Sequence, residues 1–463
     1  MSRSTNAAVR QATGVIAEYS PSLIEVLRTV RREGFLGFLH GVWREHGDLV
    51  RLKMGGRTLL LVAHPEHVQH INVTRRDRWD KGTSYDVLRE TVLGNGIVTA
   101  TGTDWRRQRK LMAPFFTPRG IEKYYPIFTA DTERLMQRWR AEHAGTGRPV
   151  EMLEEMMEVT AAVILHSVFS TETGPTLERI KGAIERLVSH IAKSQMQPMQ
   201  APRWMPTPAN LRFRRDYAEV TEYIRGLVQQ RRALPREQWP ADLLTDLMAT
   251  PDEETGSTMA EGLLIDNGLT MFAAGHETTA RTLSFLWYAL SQNREVEARL
   301  HAELDEVLGD GPPTLEALKR LPYTLRVVKE VLRLYPAAPL YARDATADDE
   351  LDGVPLPAGT PALLFAYASH RHPDFWEEPE RFDPDRWLPE REAARPQGAF
   401  HPFATGPRVC LGNHFSLLET HVMTAMIARR FRVRMKPGHV PQLEFFGTLG
   451  SRNGLPMIVE ARG

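Results

Sequence analysis

The sequence contains almost no cysteine: Cys410 is its one thiol in 463 residues. A lone thiol excludes an intramolecular disulfide, a structural zinc site built on several thiolates, and an iron–sulfur cluster held by this chain alone. Because disulfides accumulate in oxidising compartments, their absence favours a reducing, cytoplasmic setting.

Long apolar runs and net charge are also absent. Charges or prolines interrupt every apolar stretch before the roughly 18 residues that a membrane span needs, and the N-terminus has no apolar core of the signal-peptide type. Lys plus Arg (58) balances Asp plus Glu (58), so no net field draws the molecule to nucleic acid or to an anionic membrane. We therefore expect a globular protein with no membrane span and no nucleic-acid partner.

No repeat, Gly/Ser linker or low-complexity segment divides the chain, so residues 1–463 are predicted to form a single domain. Two short apolar segments flanking Gly55-Gly56 predict a β-hairpin. Helical patterns dominate from about 115 to 335, and residues 263–290 are apolar on almost every face, which indicates a long buried helix. Short strands return after 335. The predicted fold class is mainly α, with a small β region built from both ends of the chain.

Cys410 lies in a loop rich in Gly, Pro and Arg, "PFATGPRVCLGNHF" (402–415), directly before a helical pattern. A helix N-terminus lowers the pKa of a nearby thiol, and Arg408 places a cation two residues away. Gly406 permits a turn that a β-carbon would forbid, and Gly412 lets the backbone approach a large flat group. The alternative is that Cys410 is a small buried hydrophobe.

A second polar motif, "AAGHETTA" (273–280), interrupts the long buried helix. Gly275 weakens a helix by about 1 kcal/mol relative to Ala. The Thr278 hydroxyl can bond the carbonyl of Ala274 one turn earlier, and Glu277 can have a structural partner. A buried carboxylate without a partner is costly, so a proton-carrying role for Glu277 is an equal alternative.

Two of these segments resemble motifs of the cytochrome P-450 family. "FATGPRVCLG" (403–412) matches the haem-binding signature F-x-x-G-x-R-x-C-x-G at every fixed position. "AGHETT" (274–279) is similar to the oxygen-activating motif of the family's long helix.

Three further motifs extend the resemblance and stand in the family's order. "WRRQR" (105–109) matches the W-x-x-x-R of the helix that holds a haem propionate. Glu330 and Arg333, which share a helix face, resemble the E-x-x-R motif. "PERF" (379–382) resembles the segment whose arginine, here Arg381, completes a Glu–Arg–Arg cluster.

The resemblance implies a helix-rich triangular prism with a long central helix over haem b. It makes Cys410 the axial ligand of the haem iron, a thiolate that favours cleavage of the O–O bond. The other residues implied to bind the cofactor are Phe403, Gly406, Arg408, Gly412, Trp105, Arg109, Arg343 and Ala274, of which Trp105, Arg109, Arg343 and Arg408 face the propionates.

The implied activity inserts one oxygen atom of O₂ into a hydrophobic substrate. Thr278 and Glu277 are the implied catalytic residues, which deliver protons during oxygen activation. Glu330, Arg333 and Arg381 are expected to serve folding and haem retention. Ser416 replaces an alanine that is frequent in the family, and this change is expected to matter little.

The substrate pocket is expected at positions that match the variable segments of the family. These positions are Val87, Leu88, Phe272, Ala273, Ala337, Ala338, Leu340 and Leu449. They are small or apolar, which suggests a fatty acid, a terpenoid or a similar molecule as substrate. The Met-rich, proline-punctuated stretch 190–206 is predicted to be either a mobile lid or plain core.

Electrons are expected from a separate ferredoxin or flavodoxin with its NAD(P)H-dependent reductase, because the chain has no second cysteine and no room for a flavin domain. Arg106, Arg107 and Lys110 form either a docking patch for an acidic partner or a solvated helix face.

Two other functions stay open. One is a peroxide-driven peroxygenase or peroxide isomerase on the same fold, against which the Glu277-Thr278 pair speaks. The other is a non-catalytic haem-binding sensor or carrier, although no attached signalling or DNA-binding domain is found.

Overall fold

The structure is a computed structural model that describes residues 16–54, 56–171, 174–196, 204–309, 311–445 and 447–462. It is 58% helical, with a small sheet region, as the sequence predicts.

Helices of seven or more residues form most of the molecule. They are α1 (Leu23–His46), α2 (Gly102–Met112), α3 (Tyr125–Glu142), α4 (Met152–Phe169), α5 (Pro175–Met196), α6 (Pro208–Arg232), α7 (Leu243–Ala249), α8 (Glu261–Gln292), α9 (Arg294–Val307), α10 (Pro322–Leu334) and α11 (Asn413–Arg430). Shorter helices occupy Pro65–Gln69, Asp86–Leu88, Pro118–Ile121, Leu315–Lys319, Ala366–Ser369 and Pro389–Ala393.

The strands are short. They are β1 (Ala17–Tyr19), β2 (Leu49–Met54), β3 (Arg57–Val62), β4 (Trp79–Asp80), β5 (Pro149–Glu151), β6 (Tyr341–Ala345), β7 (Asp349–Leu351), β8 (Val354–Leu356), β9 (Pro361–Leu364), β10 (Phe431–Met435), β11 (Leu443–Phe445), β12 (Leu449–Ser451) and β13 (Pro456–Ala461).

The main sheet joins the two ends of the chain, in the order β1-β2-β3-β9-β6-β4. The predicted hairpin is present, with Leu49 opposite Val62 and Met54 opposite Arg57. Its turn includes Gly56, at φ +77°, while Gly55 lies outside the described residues. The parallel pairing of β3 with β9 attaches the C-terminal strands to this hairpin, which confirms the predicted β region.

Helix α8 crosses the helical part of the molecule and packs against α4, α6, α10 and α11. Its 32 residues span about 48 Å at 1.5 Å per residue. Gly275 lets it approach α4 closely, because an added β-carbon would lie 2.7 Å from Ile164 Cδ1. The buried long helix predicted over 263–290 is therefore confirmed.

Among the residues that the structure describes, no helix combines the length and the hydropathy needed to cross a membrane.

Candidate active site

A cavity of about 340 Å³ lies between α8 and the loop that precedes α11. It brings together Cys410, Thr278, Arg109 and Arg343, which are far apart in the sequence. Among the residues that the structure describes, no Asp or Glu lines it.

The loop before α11 is shaped by glycine. Gly406 has φ +70°, and a β-carbon there would lie 2.0 Å from the Asn72 carbonyl oxygen, so only glycine fits. The Cys410 N–H donates to the Phe403 carbonyl at 2.8 Å, which closes the turn under the thiol. A β-carbon at Gly412 would meet nothing within 4 Å, so the space beside this cavity residue is open.

The Cys410 side chain is exposed to the cavity yet lies deep in the protein. Burial raises the pKa of the thiol, while the Gly412 N–H, Arg109 and Lys81 act in the opposite direction. The N–H at the start of α11 therefore lowers the pKa of the thiol as predicted, but burial has the larger effect and the net shift is upward. The prediction that Arg408 supplies the cation is wrong, because the cations that act on the thiol are Arg109 and Lys81.

Four cationic side chains line the cavity: Lys81, Arg109, Arg343 and Arg408. Arg109 Nη1 donates to the Val409 carbonyl at 2.9 Å, which fixes this arginine beside the thiol. Lys81 is an addition to the predicted set, since no pattern in the sequence distinguishes it from other lysines.

Arg408 is clamped in place from both sides. Its guanidinium pairs with Asp80, donates to the Ala100 carbonyl at 2.9 Å and lies 3.8 Å from the ring centroid of Trp105. Burial lowers the pKa of Arg408 to about 10. Burial, reinforced by Arg343 and Arg408, lowers the pKa of Lys81 well below its usual value. These clustered cations therefore favour an anionic ligand.

Thr278 and Ala274 both line the cavity from α8. The Thr278 hydroxyl donates to the Ala274 carbonyl at 2.8 Å, as the sequence predicts, and the helix remains continuous there. Because a hydroxyl oxygen has two lone pairs, the Thr278 oxygen can still accept a hydrogen bond from a water or ligand in the cavity.

Glu277 lies beside Thr278 on α8 but is not among the residues that line the cavity. Its carboxylate accepts hydrogen bonds from Arg281 at 2.8 and 3.0 Å and from the Thr448 hydroxyl at 2.6 Å. Glu277 therefore has structural partners, Arg281 and Thr448, as one of the two alternatives from the sequence predicts.

Glu330 and Arg333 form a fully buried pair, with Nη2 and Oε1 2.8 Å apart. The third member of the cluster is Arg386, whose Nε lies 3.3 Å from Glu330 Oε1. The prediction that Arg381 completes the cluster is wrong. Arg381 contributes only its backbone carbonyl, which accepts a hydrogen bond from Arg333. The Arg381 side chain is exposed and pairs with Glu378.

Only part of the predicted substrate pocket lines the cavity. Ala337 and Ala338 do, whereas Val87, Leu88, Phe272, Ala273, Leu340 and Leu449 do not. Phe272 is fully buried against His276, and Val87 is 44% exposed. Leu88 and Ala273 pack on a separate cluster around Val92 and Leu93.

From the sequence, no role is predicted for a group of polar residues near the cavity. The Ser416 hydroxyl lies 3.2 Å from the Thr279 hydroxyl, and both residues line the cavity. Glu419, one turn further along α11, is fully buried. The nearest hydroxyl, that of Thr279, lies within hydrogen-bond distance of Ser416, and no described residue makes a well-aligned hydrogen bond to either Glu419 oxygen. Burial raises the pKa of Glu419 well above its usual value, and the proximity of the Thr279 hydroxyl offsets this only in part.

The three cations of the predicted docking patch differ in their partners. Arg107 pairs with Asp252 at 2.6 Å, and Lys110 pairs with Glu253 at 2.8 Å. Arg106 has no ion-pair partner within the described ranges and is hydrogen-bonded to Thr103.

The structure describes the predicted lid in part. Residues 197–203 of the stretch 190–206 lie outside the described residues; before them the chain belongs to α5, and after them Trp204 is 75% exposed.

Haem, the group that the sequence resemblance implies, fits the donors of this cavity. A thiol faces the open space beside Gly412. Apart from the Asp80–Arg408 pair, the buried cations of the cavity have no carboxylate partner among the described residues, which suits two propionates.

Comparisons with known proteins agree with this fit. The family model described as cytochrome P-450 matches residues 20–457. The chain is 37% identical to cyclooctatin synthase of Streptomyces melanosporofaciens over 85% of this chain and 84% of that protein. It is 34% identical to cyclooctat-9-en-7-ol 5-monooxygenase of the same species, over 92% and 93% of the two chains. Pentalenene oxygenase of Streptomyces avermitilis is 34% identical over 85% of each chain.

A solved structure supports the same conclusion. The crystal structure of the cytochrome P450DA heme domain superposes with a TM-score of 0.88 at 25% identity, covering 97% of this chain and 98% of that one. The chain therefore belongs to the cytochrome P-450 family and is a monooxygenase that uses haem and O₂.

Proposed function

We propose that this monooxygenase hydroxylates a cyclic terpenoid. The observation that carries the proposal is the similarity to three enzymes whose names give cyclooctatin, cyclooctat-9-en-7-ol and pentalenene as product or substrate. A fatty acid, the other substrate class that the sequence suggests, is less well supported by these relatives.

The cavity wall suits such a substrate. Away from the cations most of its lining is apolar, with Val98, Met271, Ala274, Ala337 and Ala338 among the residues, and its polar groups there are mainly hydroxyls. Because no carboxylate of the described residues lines the cavity, we expect burial of apolar area to be the main source of affinity.

In this proposal Cys410 ligates the iron of haem b, while Lys81, Arg109, Arg343 and Arg408 bind its propionates. The bound haem supplies the chemistry of O–O bond cleavage, which a thiolate ligand favours. Trp105 supports Arg408 by stacking, Phe403 lines the cavity from within the ligand loop, and Gly406 sets the turn of that loop.

Proton delivery is assigned to the Glu277-Thr278 pair. The Thr278 hydroxyl lines the cavity and can pass on a proton received from water. Glu277 supplies that proton from the flank of α8. The same pair argues against the peroxide-driven alternative, which needs no proton relay.

Electrons come, in this proposal, from NAD(P)H through a reductase and a separate ferredoxin or flavodoxin. An acidic partner would approach α2 at the exposed Arg106 side chain.

The test supplies the purified haem-loaded protein with a surrogate ferredoxin system, NADPH and isotopically labelled dioxygen. The substrates are a panel of cyclic terpene hydrocarbons, cyclic terpene alcohols and fatty acids. We expect one labelled oxygen atom in a terpenoid product. Labelled product from fatty acids alone would overturn the substrate class. Product that forms only from hydrogen peroxide, without NADPH, would overturn the monooxygenase cycle.

A further inference from the structure

The Glu277 carboxylate is held by only one of its two oxygens. Oε1 accepts three hydrogen bonds, from Arg281 Nε at 3.0 Å, from Arg281 Nη2 at 2.8 Å and from Thr448 Oγ1 at 2.6 Å. Within the described part of the chain, no donor reaches Oε2. Three donors on one oxygen fix the orientation of the carboxylate and leave the other oxygen available to bind water or a proton.

The two residues that hold Glu277 come from different elements. Arg281 lies one turn further along α8, and its side chain is 10% exposed. Thr448 belongs to the turn that joins β11 to β12, directly before Leu449. Arg281 Nη1 also reaches the Leu449 carbonyl at 3.4 Å, so the hairpin and the helix are joined at adjacent positions.

The same hairpin is attached to the wall of the cavity. The Leu449 N–H donates to the Ala337 carbonyl at 2.9 Å, and Ala337 and Ala338 line the cavity. Two consecutive residues, Thr448 and Leu449, therefore connect the acid to the surface on which the substrate packs. Two hydrogen bonds connect this wall to the Glu277 carboxylate, one from the Leu449 N–H to Ala337 and one from the Thr448 hydroxyl to Glu277.

We infer that Arg281 and Thr448 are positioning residues for proton delivery, and that the β11–β12 hairpin makes the position of Glu277 depend on how the substrate fills the cavity beside Ala337. The inference rests on the proposed role of Glu277 as proton carrier. A substrate that fits this wall keeps Oε2 oriented for proton transfer. A substrate that fits poorly shifts the hairpin, and electrons are then lost to hydrogen peroxide.

The main variant is Thr448→Val, which keeps the shape of the side chain and removes the hydroxyl. Thr448→Ser restores the hydroxyl, and Ser451→Ala is the matched control, because Ser451 lies on the same hairpin and bonds Asn453 instead of Glu277. We expect Thr448→Val to raise peroxide release per NADPH several-fold with little change in the dissociation constant of the substrate. Thr448→Ser should recover the parent ratio, and Ser451→Ala should not change it.

A second readout is independent of turnover. Hydrogen–deuterium exchange of the Leu449 amide is measured in the parent protein with a well-coupled substrate, with a truncated analogue and with neither. We expect the well-coupled substrate to slow this exchange more than the analogue does.

Two results would overturn the inference: Leu449 exchange that does not respond to either ligand, or Thr448→Val and Ser451→Ala variants that release equal amounts of peroxide. Glu277→Gln separates this inference from the proposed function. Coupling here is the amount of product formed per NADPH. If Glu277→Gln leaves coupling unchanged, Glu277 is not the proton carrier. If Glu277→Gln lowers coupling but Thr448→Val does not, only the role of the hairpin is contradicted.

Discussion

The Arg386 guanidinium lies 3.3 Å from the Glu330 carboxylate, and both side chains are buried. Glu330 is also the partner of Arg333, so one carboxylate stabilises two buried cations. Its oxygens further accept from the Asp383 N–H at 3.0 Å and from Trp387 Nε1 at 3.0 Å. The cluster thereby attaches the segment around residues 383–387 to α10.

Replacing Arg386 by Leu should destabilise the fold, because the Glu378 carbonyl loses its donor and Glu330 loses one of its two cationic partners. Since Glu330 keeps Arg333, we expect a loss of about 1–3 kcal/mol in the free energy of unfolding, measured by urea denaturation together with the haem content of the purified protein. Arg381→Leu is the matched control, since that side chain is exposed and pairs with Glu378. If Arg381→Leu lowers the free energy of unfolding more than Arg386→Leu does, Arg381 is the third member of the cluster after all.

The sequence predicts well what depends on periodicity and on fixed motifs. The long buried helix, the β2–β3 hairpin and the sheet that joins both chain ends follow from such patterns. So does the back-bonded Thr278, because a hydroxyl inside a helix reaches the carbonyl four residues earlier whatever the tertiary context.

What the sequence does not predict is the direction of individual side chains in irregular segments. Arg381 lies in a loop and Arg386 in the short 3-10 helix Pro384–Trp387 that follows it, and only the turns of this segment decide which guanidinium points inward. Val87 and Leu88 lie in a helix of three residues, too short for a periodic pattern to show which side faces the cavity. The pKa of Cys410 depends on the depth of burial, which no local pattern contains.

Glu419 should make stability depend on pH. Its pKa in the folded protein is raised above 4.5, so the folded state keeps a proton that the unfolded chain releases as the pH rises through that value. The protonated acid therefore contributes its full stabilisation below pH 4.5. Above pH 4.5 the free energy of unfolding falls by about 1.4 kcal/mol per pH unit, until the pH reaches the pKa of Glu419 in the folded state.

Glu419→Gln removes this titration while conserving the shape of the side chain. We expect the variant to gain stability relative to the parent protein as the pH rises above 4.5, by about the slope given above until the pKa of the folded state is reached, measured as the difference in urea midpoint at each pH. A difference that stays constant across this range would show that Glu419 is ionised in the folded protein.

Thr278→Ala should uncouple electron consumption from product formation. The variant loses the hydroxyl that lines the cavity, and we expect product per NADPH to fall by about one to two orders of magnitude, with NADPH consumption largely kept. Thr278→Ser retains a hydroxyl and serves as the control. If Thr278→Ala forms product with parent-like coupling, the assignment of proton delivery to this residue is wrong.

Arg106 should contribute more than Lys110 to association with an acidic redox partner. The charge of Lys110 is offset by Glu253 at 2.8 Å, whereas Arg106 has no such ion pair in the described residues. We expect Arg106→Gln to slow reduction by a ferredoxin at low salt more than Lys110→Gln does, and to weaken the dependence of the rate on ionic strength. The measurement is stopped-flow reduction over a salt series. If the two variants slow reduction equally, the partner does not dock at Arg106.

The most direct test of the account is the absorption spectrum of the reduced protein under carbon monoxide, recorded for the parent and for Cys410→Ala. The account predicts a strongly red-shifted Soret band in the parent that is absent from the variant, because a thiolate ligand produces it and Cys410 is the one cysteine of the chain. A band typical of histidine ligation in both proteins, or a parent protein that does not take up haem, would contradict the account.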